Sequence, residues 1–259
     1  MDLGIEGRKA IICASSRGLG KACALSLARE GAHVVINGLN VERLEATKAE
    51  IESIAKGSVT AVAADINTED GRTKLLQACP EIDILVNNNE GPPPGQFQKW
   101  QRQDFESAID ANFMAPALLI QAVIEGMKER RFGRIVNITS AMVKSPRSAM
   151  GLSTSARTAL TALCKGISVD LAPFNITINN MLPERFDTDR QKFMAEMVMK
   201  LKGISREEAI AEIHESIAAK RMGSPTEFGD ACAFLCSTQA GYISGQNLQL
   251  DGGSYPGLI

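Results

Sequence analysis

Aromatic side chains are scarce in this sequence: one Trp, two Tyr and nine Phe make up 5 % of 259 residues, and only two His accompany them. Proton transfer through a tyrosine or histidine ring therefore has few possible sites. The two tyrosines, Tyr242 and Tyr255, both fall near the C-terminus, and the histidines stand at 33 and 214. Cysteines at 13, 23, 79, 164, 232 and 236 form no pair of closely spaced pairs, which argues against a zinc site. Cys232 and Cys236 lie one helical turn apart, the spacing of two small core residues, and all six read as reduced and structural. A dominant charge is lacking too, since 28 basic against 30 acidic residues leave a net charge of −2. Nothing in that balance favours nucleic acid or an anionic membrane. The most apolar long stretch, Phe113 to Ile124, carries Gln121 and is too short to span a bilayer, so it reads as a buried helix. Met1 to Lys9 includes Asp2, Glu6, Arg8 and Lys9 without an apolar core, so the expectation is a cytoplasmic protein.

What is present is regular alternation. Apolar runs rich in β-branched residues recur at Ala10–Ala14, His33–Asn37, Val59–Ala63, Ile82–Asn87, Arg134–Thr139, Ile176–Leu182 and Asn247–Leu250, with helical periodicity between most of them. The runs are continuously apolar, as strands covered by helices on both faces should be. The expectation is one α/β domain over residues 1–259, a doubly wound Rossmann-type parallel sheet of about seven strands. In such a fold the loops leaving the C-terminal strand ends share one edge, where ligands bind. The GPPPG at 91–95 is a stiff turn after the fourth strand. Residues 189–222 interrupt the alternation with a mixed-charge, Met-bearing helical stretch, read as a substrate lid.

Short motifs fall on that edge. CASSRGLG follows the first strand, NNNEG occupies 87–91, Asn112 lies on the next helix, NITS spans 137–140, and DGG stands near the C-terminus. Together, over nearly the whole chain, they resemble the short-chain dehydrogenase/reductase family. The resemblance implies a dinucleotide held along Ala14, Ser15, Ser16, Arg17, Gly18, Leu19 and Gly20. It places adenine at Asp65-Ile66, gives Asn87 to the cofactor path and sets Thr188 against the nicotinamide carboxamide. Independently of family, two glycines before a helix let backbone approach a diphosphate at the helix N-terminus. The family pattern has Thr-Gly where this chain has Cys13-Ala14. After the second strand Asn37-Gly38-Leu39-Asn40 offers neither acid nor base, so Arg17 is the cation expected to meet a 2′-phosphate. NADP is the expected cofactor, with NAD the alternative.

The proton-handling positions depart from the family. Ser153-Thr154-Ser155-Ala156-Arg157 stands where the resemblance implies Tyr-x-x-x-Lys, thirteen residues beyond Ser140. The resemblance assigns Ser140 and Asn112 to the catalytic centre, with Ser153 and Arg157 in the replaced positions. Serine is a far weaker acid than tyrosine, and guanidinium does not release its proton, although Arg157 can still bind the nicotinamide ribose and supply charge. Glu184 and Glu90 replace family glycines, and each reads either as a new acid or as a side chain turned to water or arginine. His214 in the lid, Tyr255 in the tail, and Lys144 with Arg147 are further candidates to meet substrate. The expected activity is reduction of a carbonyl or C=N group. The alternatives are dinucleotide binding without turnover, or a non-redox enzyme using Glu184 or Glu90. A homodimer or homotetramer is expected through helices near 101–131 and 152–171, the latter carrying Ala156, Ala159, Ala162 and Gly166.

Overall fold

The computed structural model describes residues 2–258. Seven parallel strands form one sheet in the order β3-β2-β1-β4-β5-β6-β7. They are β1 (Lys9–Ile12), β2 (His33–Gly38), β3 (Val59–Ala63), β4 (Ile84–Asn87), β5 (Gly133–Ile138), β6 (Ile176–Pro183) and β7 (Asn247–Leu250). The order reverses between β1 and β4, which opens a crevice at their C-terminal ends.

The central strands are apolar on both faces because two cores flank the sheet. Ala10, Ile12, Val34, Ile36 and Val86 belong to the first, with α1 (Gly18–Arg29) and α9 (Pro225–Cys236). Ile11, Cys13, Val35, Leu85 and Ile135 belong to the second, with α5 (Ala115–Arg130) and α6 (Gly151–Leu171). Successive residues thus part to opposite faces, the period-two geometry of a strand. The remaining helices are α2 (Val41–Glu52), α3 (Glu69–Gln77), α4 (Arg102–Ile109), α7 (Asp189–Lys202) and α8 (Arg206–Glu215).

From Arg102 to Arg130 the chain is one 29-residue helix, with a π-turn at Asp110–Met114 joining α4 to α5. It extends well beyond the apolar stretch seen in the sequence, and its mean hydropathy of 1.5 over 18 residues makes it long and apolar enough to cross a membrane. Leu119, Ile120, Val123 and Met127 nevertheless pack it against the sheet, as a core helix packs.

A polar ladder runs through the second half of the sheet. Asn87, Asn137, Asn180 and Asn247 are in register on β4, β5, β6 and β7. Each Nδ2 donates to the next Oδ1, at 2.9, 3.0 and 2.9 Å. Buried amides demand such pairing, and a one-residue slip of any strand would break the chain of bonds. The ladder therefore aligns the strand ends from which the loops at 88–96, 139–150 and 184–188 depart.

Residues 189–222 form α7 and α8, which share a small cluster of Ala195, Ile213 and Ile217 with Met222, apart from the two main cores. On α7, Phe193, Met197 and Leu201 recur every fourth residue and are exposed.

Candidate active site

The loops after β1 to β6 enclose a cleft of about 720 Å³. Its walls come from the turn at Ala14–Leu19, the start of α2, the Asp65 turn, Asn88–Gly91, Ser140, the first turns of α6 and the segment from Pro183 to Phe193. A smaller groove of about 360 Å³ lies on the outer side of Gly18 and Thr188.

At one end, α1 begins with no side-chain cap and no acidic residue in its first turn. Its leading N–H groups and dipole are therefore free for an anion. Gly18 has φ 58°, and a Cβ on Gly20 would stand 2.5 Å from the Ala14 carbonyl oxygen. The cradle fits a diphosphate and admits little side-chain bulk. Ala14 takes φ 44°, a left-handed conformation that costs about 1 kcal/mol outside glycine. Both its backbone groups are held, the N–H by Asn37 Oδ1 at 3.3 Å and the oxygen by Asn88 Nδ2 at 3.1 Å. The alanine in place of the family glycine thus keeps the turn. Ser16, Arg17 and Leu19 line the cleft, whereas Ser15 is fully buried and donates to the Ile12 carbonyl at 2.7 Å. Asp65 and Ile66 also line it, and Asp65 Oδ1 simultaneously accepts from Asn67 N at 3.0 Å.

After β2, Asn37 is buried with its Nδ2 donating to the Val62 and Ala64 carbonyls, and Asn40 caps α2 through Arg43 N at 2.8 Å. No carboxylate on this stretch reaches for a 2′-hydroxyl. Arg43, which sequence reasoning passed over, lines the cleft from the first turn of α2. Its guanidinium makes no ion pair among the described residues. The cap at Asn40 three residues earlier is the signal that places it there. Arg17 Nη2 lies 3.4 Å from Glu90 Oε1, an exposed pair worth little in water.

At the other end stand Ser140, Ser153 and Arg157. Ser140 follows β5 and its Oγ accepts from Met142 N at 3.2 Å. Arg157 is buried and spends four of its five donors on the protein. Nε donates to Ser153 Oγ at 3.2 Å, Nη1 to the Ile138 and Thr139 carbonyls at 2.6 and 3.0 Å, and Nη2 to the Asn89 carbonyl at 3.2 Å. All four acceptors are neutral. Desolvation, with Arg190 nearby, pushes the guanidinium down to about 10, which leaves it cationic at neutral pH. A Cβ on Gly91 would come within 3.4 Å of both Arg157 Nη2 and Ser153 Oγ, so glycine keeps this corner open.

Several expected residues lie elsewhere. Asn87 does not line the cleft; it is buried in the asparagine ladder, one layer below. Glu184 is likewise outside the lining, and its Oε1 accepts from Arg147 Nη2 at 2.8 Å, so the carboxylate is taken by an arginine rather than aimed at substrate. Asn112 is buried in the π-turn, its Nδ2 donating weakly to the Glu90 and Ala108 carbonyls at 3.4 Å and its Oδ1 without a donor among the described residues. Thr188 lines the cleft and starts α7. His214 sits on α8 away from the cleft, Tyr242 is fully exposed, and the Tyr255 ring lies 5.5 Å from Lys144 Nζ.

Comparison with known proteins agrees with this architecture. The family pattern described as Enoyl-(Acyl carrier protein) reductase matches residues 13–255. The NADPH-dependent reductase BacG of Bacillus subtilis (strain 168) is 36 % identical over 254 residues, covering 95 % of this chain and 97 % of that protein. The chain belongs to the short-chain dehydrogenase/reductase family. A solved structure of YwfH, an NADPH-dependent reductase involved in bacilysin biosynthesis, superposes with a TM-score of 0.91 at 34 % identity, covering 98 % of this chain and all of that one. The L-sorbose reductase of Gluconobacter frateurii, complexed with NADPH and L-sorbose, gives 0.93 at 27 % identity over the full length of both chains. As a short-chain dehydrogenase/reductase, the protein is an NAD(P)-dependent oxidoreductase.

Proposed function

We propose that the protein is an NADPH-dependent carbonyl reductase in which Ser153 and Ser140 hold the reacting oxygen and Arg157 meets its developing charge. The hydrogen bond from Arg157 Nε to Ser153 Oγ carries this reading. A serine hydroxyl has one hydrogen to give. With a lone pair occupied by Arg157 and no other partner among the described residues, Ser153 Oγ–H is free to donate into the cleft.

NADPH bound along the cleft would supply the hydride. Gly18, Leu19 and the uncapped start of α1 would hold its diphosphate, Arg17 and Arg43 its 2′-phosphate, Asp65 and Ile66 its adenine, and Thr188 its carboxamide. The carbonyl oxygen gains charge as its carbon is reduced. Two hydroxyl donors and a buried cation, fixed before reaction, lower the energy of that charge without reorganising. Neither serine nor guanidinium gives up a proton near neutrality, so water protonates the alkoxide, and the unpaired Asn112 Oδ1 suits a water close to this corner. The NADPH dependence of BacG and of the sorbose reductase supports the cofactor assignment.

Titration of NADPH and NADH by fluorescence, followed by hydride transfer to a panel of small ketones and imines, tests the reading. Ser153→Ala is expected to lower kcat about 100- to 1000-fold, the size of one oxyanion donor. The pH profile is a second signature. Burial pushes Arg157 down to about 10, so it keeps its charge below that value. Activity should therefore be level from about pH 6 to 9 and fall only above. An ionisation within that plateau, or an unchanged rate in Ser153→Ala, would refute the serine site. Tight NADPH binding without turnover would favour the non-redox reading.

We also read α7 and α8 as a lid, since they are packed on their own small core and carry Phe193 into the cleft. For assembly, the outward face of α6 presents Ala162, Gly166, Leu163 and Val169, the last 71 % exposed, while Ala156 faces the core and plays no part. Phe105 and Met114 on the neighbouring helix are exposed as well. These faces fit a homodimer or homotetramer; a monomeric mass by light scattering at micromolar protein would exclude it.

A further inference from the structure

Besides Arg17 and Arg43, three arginines line the cleft. Arg157 stands behind Ser153, Arg185 follows Pro183, and Arg190 starts α7. Arg190 Nη2 donates to the Pro92 carbonyl at 3.3 Å, beside the glycine that abuts Ser153, so it belongs to the same corner.

The carboxylates nearby are mostly engaged elsewhere, and Asp187 is exposed and lines the outer groove rather than the cleft. Glu184 is held by Arg147 at 2.8 Å, Glu90 by Arg17 at 3.4 Å and Asp189 by Lys192 at 3.3 Å. Asp65 sits at the adenine end, engaged with Asn67 N. Arg157 has only neutral acceptors and one remaining N–H. Arg185 is half-buried, and its guanidinium makes no hydrogen bond or ion pair among the described residues. Desolvation is the largest influence on its guanidinium, which is pushed below the usual arginine range, with Glu184 opposing and Arg147 adding to the effect. A cation withdrawn from water, with its neighbouring carboxylate Glu184 already shared with Arg147, gains from the arrival of a further anion.

The backbone gives an independent sign. Arg185 has φ 61°, a conformation that asparagine or glycine would adopt with less strain. The strand–loop frame imposes it: Glu184 N donates to the Leu250 carbonyl at 2.9 Å, and Gly223 N donates to the Arg185 carbonyl at 3.0 Å. An arginine kept in a strained position, unpaired and facing a cleft, is a feature of ligand sites. Met150, Phe186 and Phe193 supply apolar walls around it.

We infer that the substrate is a carbonyl compound bearing a carboxylate close to the reacting C=O, with Arg185 as its partner, Arg190 at the mouth and Arg157 behind the reacting oxygen. This rests on the reductase reading above. Arginine's planar fork matches a carboxylate with two parallel N–H···O bonds, which would also orient the carbonyl toward Ser153. The cofactor's phosphates have their own donors at the opposite end, so they leave these three charges unmatched.

The test measures NADPH oxidation with 2-, 3- and 4-oxopentanoate against their methyl esters. One acid is expected to exceed its ester about a hundredfold in kcat/KM, and Arg185→Gln to shrink that ratio below about tenfold, the loss of one buried charge-assisted hydrogen bond. Arg185→Lys should restore part of the ratio, and Arg190→Gln, should Arg185→Gln not fold, should also reduce it. Esters used as well as acids by the native protein would overturn the proposal. So would preference for 2-oxopropylphosphonate over every acid, which would assign the site to a phosphorylated substrate. If no carbonyl is reduced, the reductase reading fails on its own, and binding to the NADPH complex decides the anion site separately. Saturable binding of pentanoate but not pentanamide, followed by NADPH fluorescence, sustains it; equal binding, or none, overturns it.

Discussion

Arg157→Ala is expected to reduce kcat/KM for NADPH-dependent carbonyl reduction about a thousandfold and to lower the unfolding free energy by about 3 kcal/mol. Both effects come from one side chain doing two things. Its guanidinium ties the Ile138 and Thr139 carbonyls to that of Asn89, so it joins the ends of β5 and β4, and it also holds Ser153. Alanine leaves three carbonyl oxygens without donors in a buried corner, and removes the charge directly behind Ser153. Arg157→Lys separates the contributions. Lysine keeps the charge but concentrates its donors at one nitrogen, which cannot reach four acceptors spread over two strands and a helix. It should recover part of the stability and leave activity about a hundredfold down. Steady-state kinetics together with denaturant unfolding checks the pair, and added guanidinium ion should rescue Arg157→Ala in rate. Activity of Arg157→Ala within threefold of native would show that the cation has no electrostatic part in the reaction.

The sheet was legible because burial on both faces leaves a strong mark. Runs such as Val34-Val35-Ile36 and Ile84-Leu85-Val86 must be parallel strands between two cores, and they are. The serine and arginine positions were legible too, since a spacing of four on a helix puts Ser153 and Arg157 on one face. What stayed hidden depends on pairing between distant segments. Asn87, Asn137, Asn180 and Asn247 look like unrelated polar interruptions until strand register lines them up. Glu184 reads either as a new acid or as a side chain turned to water or arginine, and its actual partner, Arg147, lies 37 residues away. Arg43 was invisible for the opposite reason: an arginine on the first turn of a helix is ordinary, and only the path of the cleft makes it a ligand candidate.

Removing Arg17 and Arg43 together is expected to raise the Kd for NADPH about a hundredfold while the Kd for NADH changes less than about threefold. The 2′-phosphate is the only difference between the two cofactors, and these are the cations that line the cleft beside Leu39 and Asn40. A buried pair of arginine–phosphate contacts would be worth more, but the Arg17 side chain is 48 % exposed, so water screens much of the attraction. The two arginines should contribute unequally. Arg17 already faces Glu90 at 3.4 Å and must give up part of that contact to meet a phosphate, whereas Arg43 has no competing carboxylate among the described residues. Arg43→Ala alone should therefore cost more NADPH affinity than Arg17→Ala alone, and Glu90→Gln should tighten NADPH binding several-fold by releasing Arg17. Rising ionic strength should weaken NADPH binding in the native protein and scarcely affect it in the double variant. Fluorescence titration of both cofactors at two salt concentrations reads all four effects. Equal losses for NADPH and NADH would move the role of these arginines from the 2′-phosphate to the shared diphosphate, where the uncapped start of α1 already provides donors.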